Sequence, residues 1–226
     1  MLQPTMQRKY LNNNGVAKSI YEDTLRRKEE WQMNVLVKSS GGITQVPLES
    51  KMLSEQRKVF IYGEIDEKSA IDFIKQIIYL NSESDEKIDV FISSPGGEIN
   101  SGLLMYDAIT GSKAPIRMYC VGKAYSMGAI LFACAKERFM LPNSELMLHQ
   151  PLLGGRVSGN ASSIKSISDS LLETKDKMNK ILAKCTGKGE EEIDEATSFD
   201  HYFSPEEAVE FNLADKIVEF GMLMEG

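Results

Sequence analysis

Residues 116–133 read Ile116-Arg117-Met118-Tyr119-Cys120-Val121, then Gly122-Lys123-Ala124-Tyr125-Ser126, then Met127-Gly128-Ala129-Ile130-Leu131-Phe132-Ala133. The first block is a buried-strand run. The second is a glycine-containing turn. The third is an apolar helix that begins near Ser126. The same order occurs just upstream. Ile88–Ile92 forms a strand, Ser93-Ser94-Pro95-Gly96-Gly97 a turn, and Ser101–Ile109 a helix. Two strand–turn–helix units in succession imply an α/β fold with largely parallel pairing.

The rest of the chain extends this alternation in both directions. Val59-Phe60-Ile61-Tyr62 is a strand closed by Gly63. Asp66 can cap a helix with Ile71, Ile74 and Ile78 at helical spacing, ending near Leu80. Downstream, Phe139-Met140-Leu141 and Leu146-Met147-Leu148 read as two strands around a Pro142-Asn143 turn. A long helix follows, with Ile164, Ile167, Leu171, Met178 and Ile181 on one face. The last helix opens at Ser204-Pro205-Glu206-Glu207, where Ser204 caps, Pro205 takes the first helical position and Glu207 completes a capping box.

Charge divides the chain. Residues 1–46 hold 7 Lys+Arg and 4 Asp+Glu, a balance of +3; the remainder of the 26 and 33 gives 19 against 29, or −10. The net −7 disfavours nonspecific nucleic-acid binding. Residues 1–46 are read as an extension of uncertain order. They contain turn signals at Asn12–Gly15 and Ser39–Gly42, and a charged helix from Ser19 to Gln32. No apolar run approaches a membrane span, and the first residues lack a secretory h-region. Three cysteines, Cys120, Cys134 and Cys185, include no C-x-x-C pair. They argue for a reducing, cytoplasmic setting and against a disulfide framework or zinc site.

Chemistry is constrained by the histidine count, which is two: His149 and His201. Ser126 has two readings. As a helix N-cap it is structural. As a nucleophile it would use the helix dipole and the Met127 N–H to stabilise an oxyanion. It is not the G-x-S-x-G elbow, because Ala124 stands at the first glycine position. His149, at a strand end before Gln150-Pro151, is placed to be a base, or is simply a hydrogen-bonded edge histidine. Asp194, Asp200 and Asp215 are the nearby acids. No strand or glycine turn presents His201, which suits a surface role. Ser94–Gly97 is either common turn chemistry or an anion-binding helix start. No phosphate loop is present.

From about Pro47 to the C-terminus the sequence resembles ClpP, the proteolytic subunit family of the Clp protease. Ser94-Pro95-Gly96-Gly97 is similar to the family's S-P-G-G turn. Ala124–Ala129 resembles A-x-S-M-G-A around its nucleophile. Leu141-Pro142-Asn143-Ser144 and His149-Gln150-Pro151, with Leu152-Leu153-Gly154-Gly155, resemble the segment around its base. Asp200 with Phe203-Ser204-Pro205-Glu206-Glu207-Ala208 matches the loop of its catalytic aspartate.

The resemblance implies a crotonase-like spiral of β-β-α units with a protruding handle helix, from about Ser158 to Lys184. It divides the chain into a 1–46 extension and a 47–226 peptidase domain. It implies Ser126 as nucleophile, His149 as general base, Asp200 as the acid orienting it, and the N–H groups of Gly97 and Met127 as the oxyanion hole. No metal or nucleotide is implied. Partners are peptides or unfolded proteins, other copies in heptameric rings, and an AAA+ unfoldase. The family's arginine before the aspartate is Phe199 here, after Ser198. Asp89 and Gly111 stand where aromatics usually line the docking pocket. Alternatives are a phage-type processing peptidase without an unfoldase, a pseudo-protease subunit and, last, a crotonase-type acyl-CoA enzyme.

Overall fold

The structure is a computed structural model that describes residues 33–154 and 158–224. The expected Ser19–Gln32 helix and Asn12–Gly15 turn lie outside the described residues. The chain divides between Lys51 and Met52 into two compact units. In the first, β1 (Asn34–Ser39) and β2 (Gly42–Pro47) form an antiparallel hairpin with Ser39 opposite Gly42. The Ser39–Gly42 turn signal is thus a hairpin turn. Helix α1 (Leu48–Gln56) runs across the division.

The second unit is an α/β structure around a mostly parallel sheet. Strands β3 (Lys58–Tyr62), β4 (Ile88–Ser94), β5 (Ile116–Tyr125) and β6 (Glu137–Met140) pair in parallel in that order, and β9 (Lys216–Ile217) joins β6. β7 (Glu145–Leu148) pairs parallel to β5 and antiparallel to β8 (His201–Phe203). The helices are α2 (Glu67–Glu83), α3 (Ile99–Gly111), α4 (Met127–Ala133), α5 (Ala161–Thr186), α6 (Glu190–Thr197) and α7 (Pro205–Glu210).

The two strands expected around Pro142-Asn143 form as β6 and β7, each with a separate stretch of β5 as its parallel neighbour. Two local expectations are corrected. Residues 122–125, expected in a turn, continue β5. β7 supplies backbone partners to Lys123, Ala124 and Tyr125, and Gly122, at φ +95°, marks the change of neighbour. On α2 the buried face is Ala70, Phe73, Ile77 and Leu80, while Ile78 is 65 % exposed. Ile71, Ile74 and Ile78 obey the 3.6 period, but so does the alternative stripe, and its contacts with the core decide the rotation.

The caps match their sequence signals. Asp66 accepts from the Ser69 N–H at 2.7 Å, and Ser69 Oγ accepts from the Asp66 N–H at 2.9 Å. The Ser204–Glu207 box closes the same way at 3.3 and 2.8 Å. Hydrogen bonds from the capped backbone hold both carboxyls below their ordinary range. A depressed pKa stabilises above the unfolded-state value and loses that contribution as pH falls through the folded one. Asp66→Asn is therefore expected to flatten the acid limb of a melting-temperature profile below about pH 4. An unchanged limb would remove this cap from the acid response.

The outer sheet face carries two cross-strand rows. Phe60, Phe91, Tyr119 and Phe139 stack with ring centroids 5.2, 5.1 and 5.1 Å apart. Beside them Lys58, Asp89, Arg117 and Glu137 alternate in charge along the same register. Opposite charges directly across strands support pairing. Arg117 donates from Nε and Nη2 to both Asp89 oxygens at 2.5 and 2.7 Å. Asp89 is thus one link in a neutralised row. The apolar groove beside it is lined by Phe60, Tyr62, Phe91, Val121, Phe220 and Leu223. Gly111 ends α3 and does not line that groove.

Candidate active site

Ser126 sits where β5 becomes α4. At φ +53° and ψ −122° its backbone is in a region that non-glycine residues rarely occupy. Such strain persists only where the surroundings over-determine it. Here the Ser126 N–H donates to the Met147 carbonyl at 2.8 Å, and the Ser126 carbonyl accepts from the N–H groups of Ala129 and Ile130. All seven residues of α4 are buried. A helix this short has little stability alone. Burying Ile130, Leu131 and Phe132, at about 1.5–3 kcal/mol each, fixes it in place. The Ser126 side chain does not cap α4. The N-cap reading of its hydroxyl is therefore wrong.

That hydroxyl instead meets His149. Ser126 Oγ and His149 Nε2 are 2.8 Å apart. Strand register produces the contact. Tyr125 pairs with Met147 across β5 and β7, so the residues just beyond those strand ends converge. Tyr125 steadies this corner by donating from its hydroxyl to Glu145 Oε1 and packing edge-on against Tyr202. The Glu145 bond, with burial, pushes the Tyr125 phenol up to about 12.

A second register brings the acid. Leu148 is opposite His201 in the antiparallel β7–β8 pair, so His149, after one strand, faces Asp200, before the other. Asp200 Oδ1 lies 3.9 Å from His149 Nδ1, beyond hydrogen-bond length. Nδ1 is buried and has no hydrogen-bond partner among the described residues. An orphaned buried polar group costs roughly 1–3 kcal/mol, and an approach of about 1 Å by the Asp200 carboxylate would bring it to hydrogen-bond length. Asp200 is 63 % exposed in its side chain, which leaves it room to move. The other two acids are engaged elsewhere: Asp194 with Lys175 and Asn179, and Asp215 with Arg138. His201 is exposed and stacks on Phe203 with centroids 4.1 Å apart. Phe199, beside Asp200, is 85 % exposed.

The Gly96–Gly97 turn lies against this corner. A Cβ on Gly96, at φ +91°, would stand 2.7 Å from the Tyr125 carbonyl oxygen and 2.8 Å from Ser126 Cβ. A Cβ on Gly97, at φ +155°, would stand 2.1 Å from the Ile65 carbonyl oxygen. Gly97 and Ile65 form a parallel bridge, and Glu98 donates its N–H to the Ile65 carbonyl at 2.8 Å. Ser94 Oγ fixes the turn, donating to the Gly63 carbonyl and accepting from the Gly96 N–H. Sequence reading missed Ile65 as the clamp on this turn, because nothing in its local pattern shows a bridge to residue 97. Gly97→Ala is expected to cost roughly 2–4 kcal/mol in urea unfolding, through clash and strain together. A loss under about 0.5 kcal/mol, the range of an ordinary surface change, would show that the turn can relax.

A cleft of about 1010 Å³ opens at the same place, with Ser126, His149, Ile99, Leu152, Ile167 and Leu171 among its lining. Ile167 and Leu171 come from the first half of α5. That half is not packed on the core, contrary to a single apolar face along the helix: burial is confined to Met178, Asn179, Ile181, Leu182 and Thr186. Ile164 is exposed. The helix begins at Ala161 with Asn160 as its cap.

The family model described as Clp protease matches residues 28–220. The chain belongs to the Clp protease family. Its mixed α/β architecture around a mostly parallel sheet is consistent with that family's fold. Among the described residues no helix is long and apolar enough to cross a membrane.

Proposed function

We propose that this Clp-family chain is a serine endopeptidase in which Ser126, His149 and Asp200 act as nucleophile, base and orienting acid. The observation that carries this reading is the 2.8 Å contact between Ser126 Oγ and His149 Nε2, made by a serine that caps nothing. With Nε2 accepting from the serine hydroxyl, the imidazole proton resides on Nδ1 and points toward Asp200. As Ser126 attacks a peptide carbonyl, His149 takes its proton and Asp200 stabilises the imidazolium. The N–H groups of Gly97 and Met127 receive the developing oxyanion. His149 then returns the proton to the leaving amine. The acyl-enzyme is hydrolysed by the same steps with water. Ile99, Leu152, Ile167 and Leu171 offer apolar contact to the substrate chain.

The family membership supports assembly into homo-oligomeric rings and feeding by an AAA+ unfoldase in the cytoplasm. The apolar groove around Phe60, Tyr62 and Phe91 suits an apolar loop of that partner. The neutralised Asp89 adds no unpaired charge to it.

A fluorophosphonate probe tests the nucleophile directly. Tryptic digestion after labelling is expected to place a single adduct on residues 124–136, the peptide holding Ser126. An adduct elsewhere, or none from a protein that hydrolyses a fluorogenic peptide, would overturn the assignment. Native mass measured on the same sample reports the ring assembly.

A further inference from the structure

The sequence gives no hint that two of its three cysteines meet. Cys134 and Cys185 are 51 positions apart, yet their Sγ atoms lie 2.6 Å from each other. Both are free thiols, and both are partly accessible. Cys134 is the C-cap of α4, the helix that begins beside Ser126. Cys185 is in the last turn of α5, whose opposite half lines the cleft with Ser126 and His149. Arg138 spans the junction, donating from Nη1 to the carbonyls of Ala133 and Cys185 at 3.4 and 3.2 Å.

We propose that Cys134 and Cys185 form a redox-switchable pair, closed to a disulfide by hydrogen peroxide and reopened by a dithiol, that ties α4 to α5. The chemistry divides between the two sulfurs. The close contact between the two sulfurs holds Cys185 below its ordinary range and Cys134 above it; Arg138 and Lys184 add to the lowering at Cys185. The thiolate is the reactive form. Cys185 thiolate attacks one peroxide oxygen; the O–O bond breaks, leaving a sulfenic acid and, after protonation, water. Cys134 sulfur attacks the sulfenic sulfur, the S–O bond breaks, and a second water leaves with the Cys134 proton. Two thiols lose two electrons and two protons, and peroxide takes them to become two waters. A dithiol returns both by exchange. In a reducing setting the pair rests open and closes only under oxidant.

Cys120 is the internal control. It is fully buried on β5, and burial pushes its thiol up to about 12. It is expected to stay reduced at peroxide doses that close the pair.

Trypsin separates the three thiols into residues 118–123, 124–136 and 185–188. The full chain is treated with peroxide, denatured, alkylated and digested. The expected product is 124–136 linked to 185–188, two hydrogens lighter than their sum. It disappears after dithiothreitol, and 118–123 is alkylated throughout. The melting midpoint of the oxidised wild type is expected to rise by several degrees, because the crosslink restricts the unfolded chain. Cys185→Ser is expected to show neither change. Full alkylation of both thiols after peroxide would overturn the proposal. So would linkage to Cys120 or to another copy, or accumulation of sulfinic acid at Cys185. These readouts do not depend on peptidase activity, so failure of the catalytic assignment leaves them interpretable.

Discussion

Ser126→Ala is expected to lower turnover of a fluorogenic peptide by roughly 10⁴- to 10⁶-fold, with KM changed little. The size follows from what is removed. The oxyanion donors on Gly97 and Met127 and the cleft would remain, so a residual rate above water is expected. The covalent route is lost. Stability is expected to hold, since the hydroxyl caps no helix and, among the described residues, its side-chain partner is His149 Nε2. Alanine carries the same Cβ into φ +53°, so backbone strain is unchanged. A fall in activity accompanied by a fall in melting temperature would point to damage at the β5–α4 junction instead. Turnover within tenfold of wild type, with assembly intact, would end the nucleophile assignment.

Asp200→Asn is expected to reduce kcat by about 10³- to 10⁴-fold while folding and assembly persist. The amide can donate to His149 Nδ1, which favours the tautomer with its proton on Nε2. That nitrogen then cannot accept from Ser126. The exposed side chain of Asp200 makes a packing loss small. The matched control is Asp194→Asn. Its contacts with Lys175 and Asn179 are structural, so it is expected to affect melting more than turnover. Equal effects of the two substitutions on kcat would refute an orienting role for Asp200. The 3.9 Å separation adds a condition: an inhibitor that occupies Ser126 is expected to draw Asp200 to hydrogen-bond distance, visible as a downfield Nδ1 proton resonance.

Elements legible in the sequence share one property: their determinants are local. Asp66 and Ser204 cap the helices their neighbours predicted, since a cap needs only residues within one turn. The strand–turn–helix order around Gly96–Gly97 and the helix start at Ser126 were readable for the same reason, and the motif spacing carried the family. Errors arose where two elements compete for one surface. The buried stripe of α2, the partition of β5 between β6 and β7, and the two halves of α5 all depend on what lies opposite. The pairing of Asp89 was not legible because its partner, Arg117, is a cross-strand neighbour 28 positions away.

By itself, then, the sequence yielded an α/β order of elements, and its resemblance to the Clp family singled out Ser126, His149 and Asp200. Tertiary structure set which side chains stand next to one another. The β5–β7 register brings His149 to Ser126, and the β7–β8 register brings Asp200, rather than Asp194 or Asp215, to His149. It also joined Cys134 to Cys185. Backbone pairing between distant strands sets these meetings, and the energy of such pairing depends on contacts that no local window of residues contains.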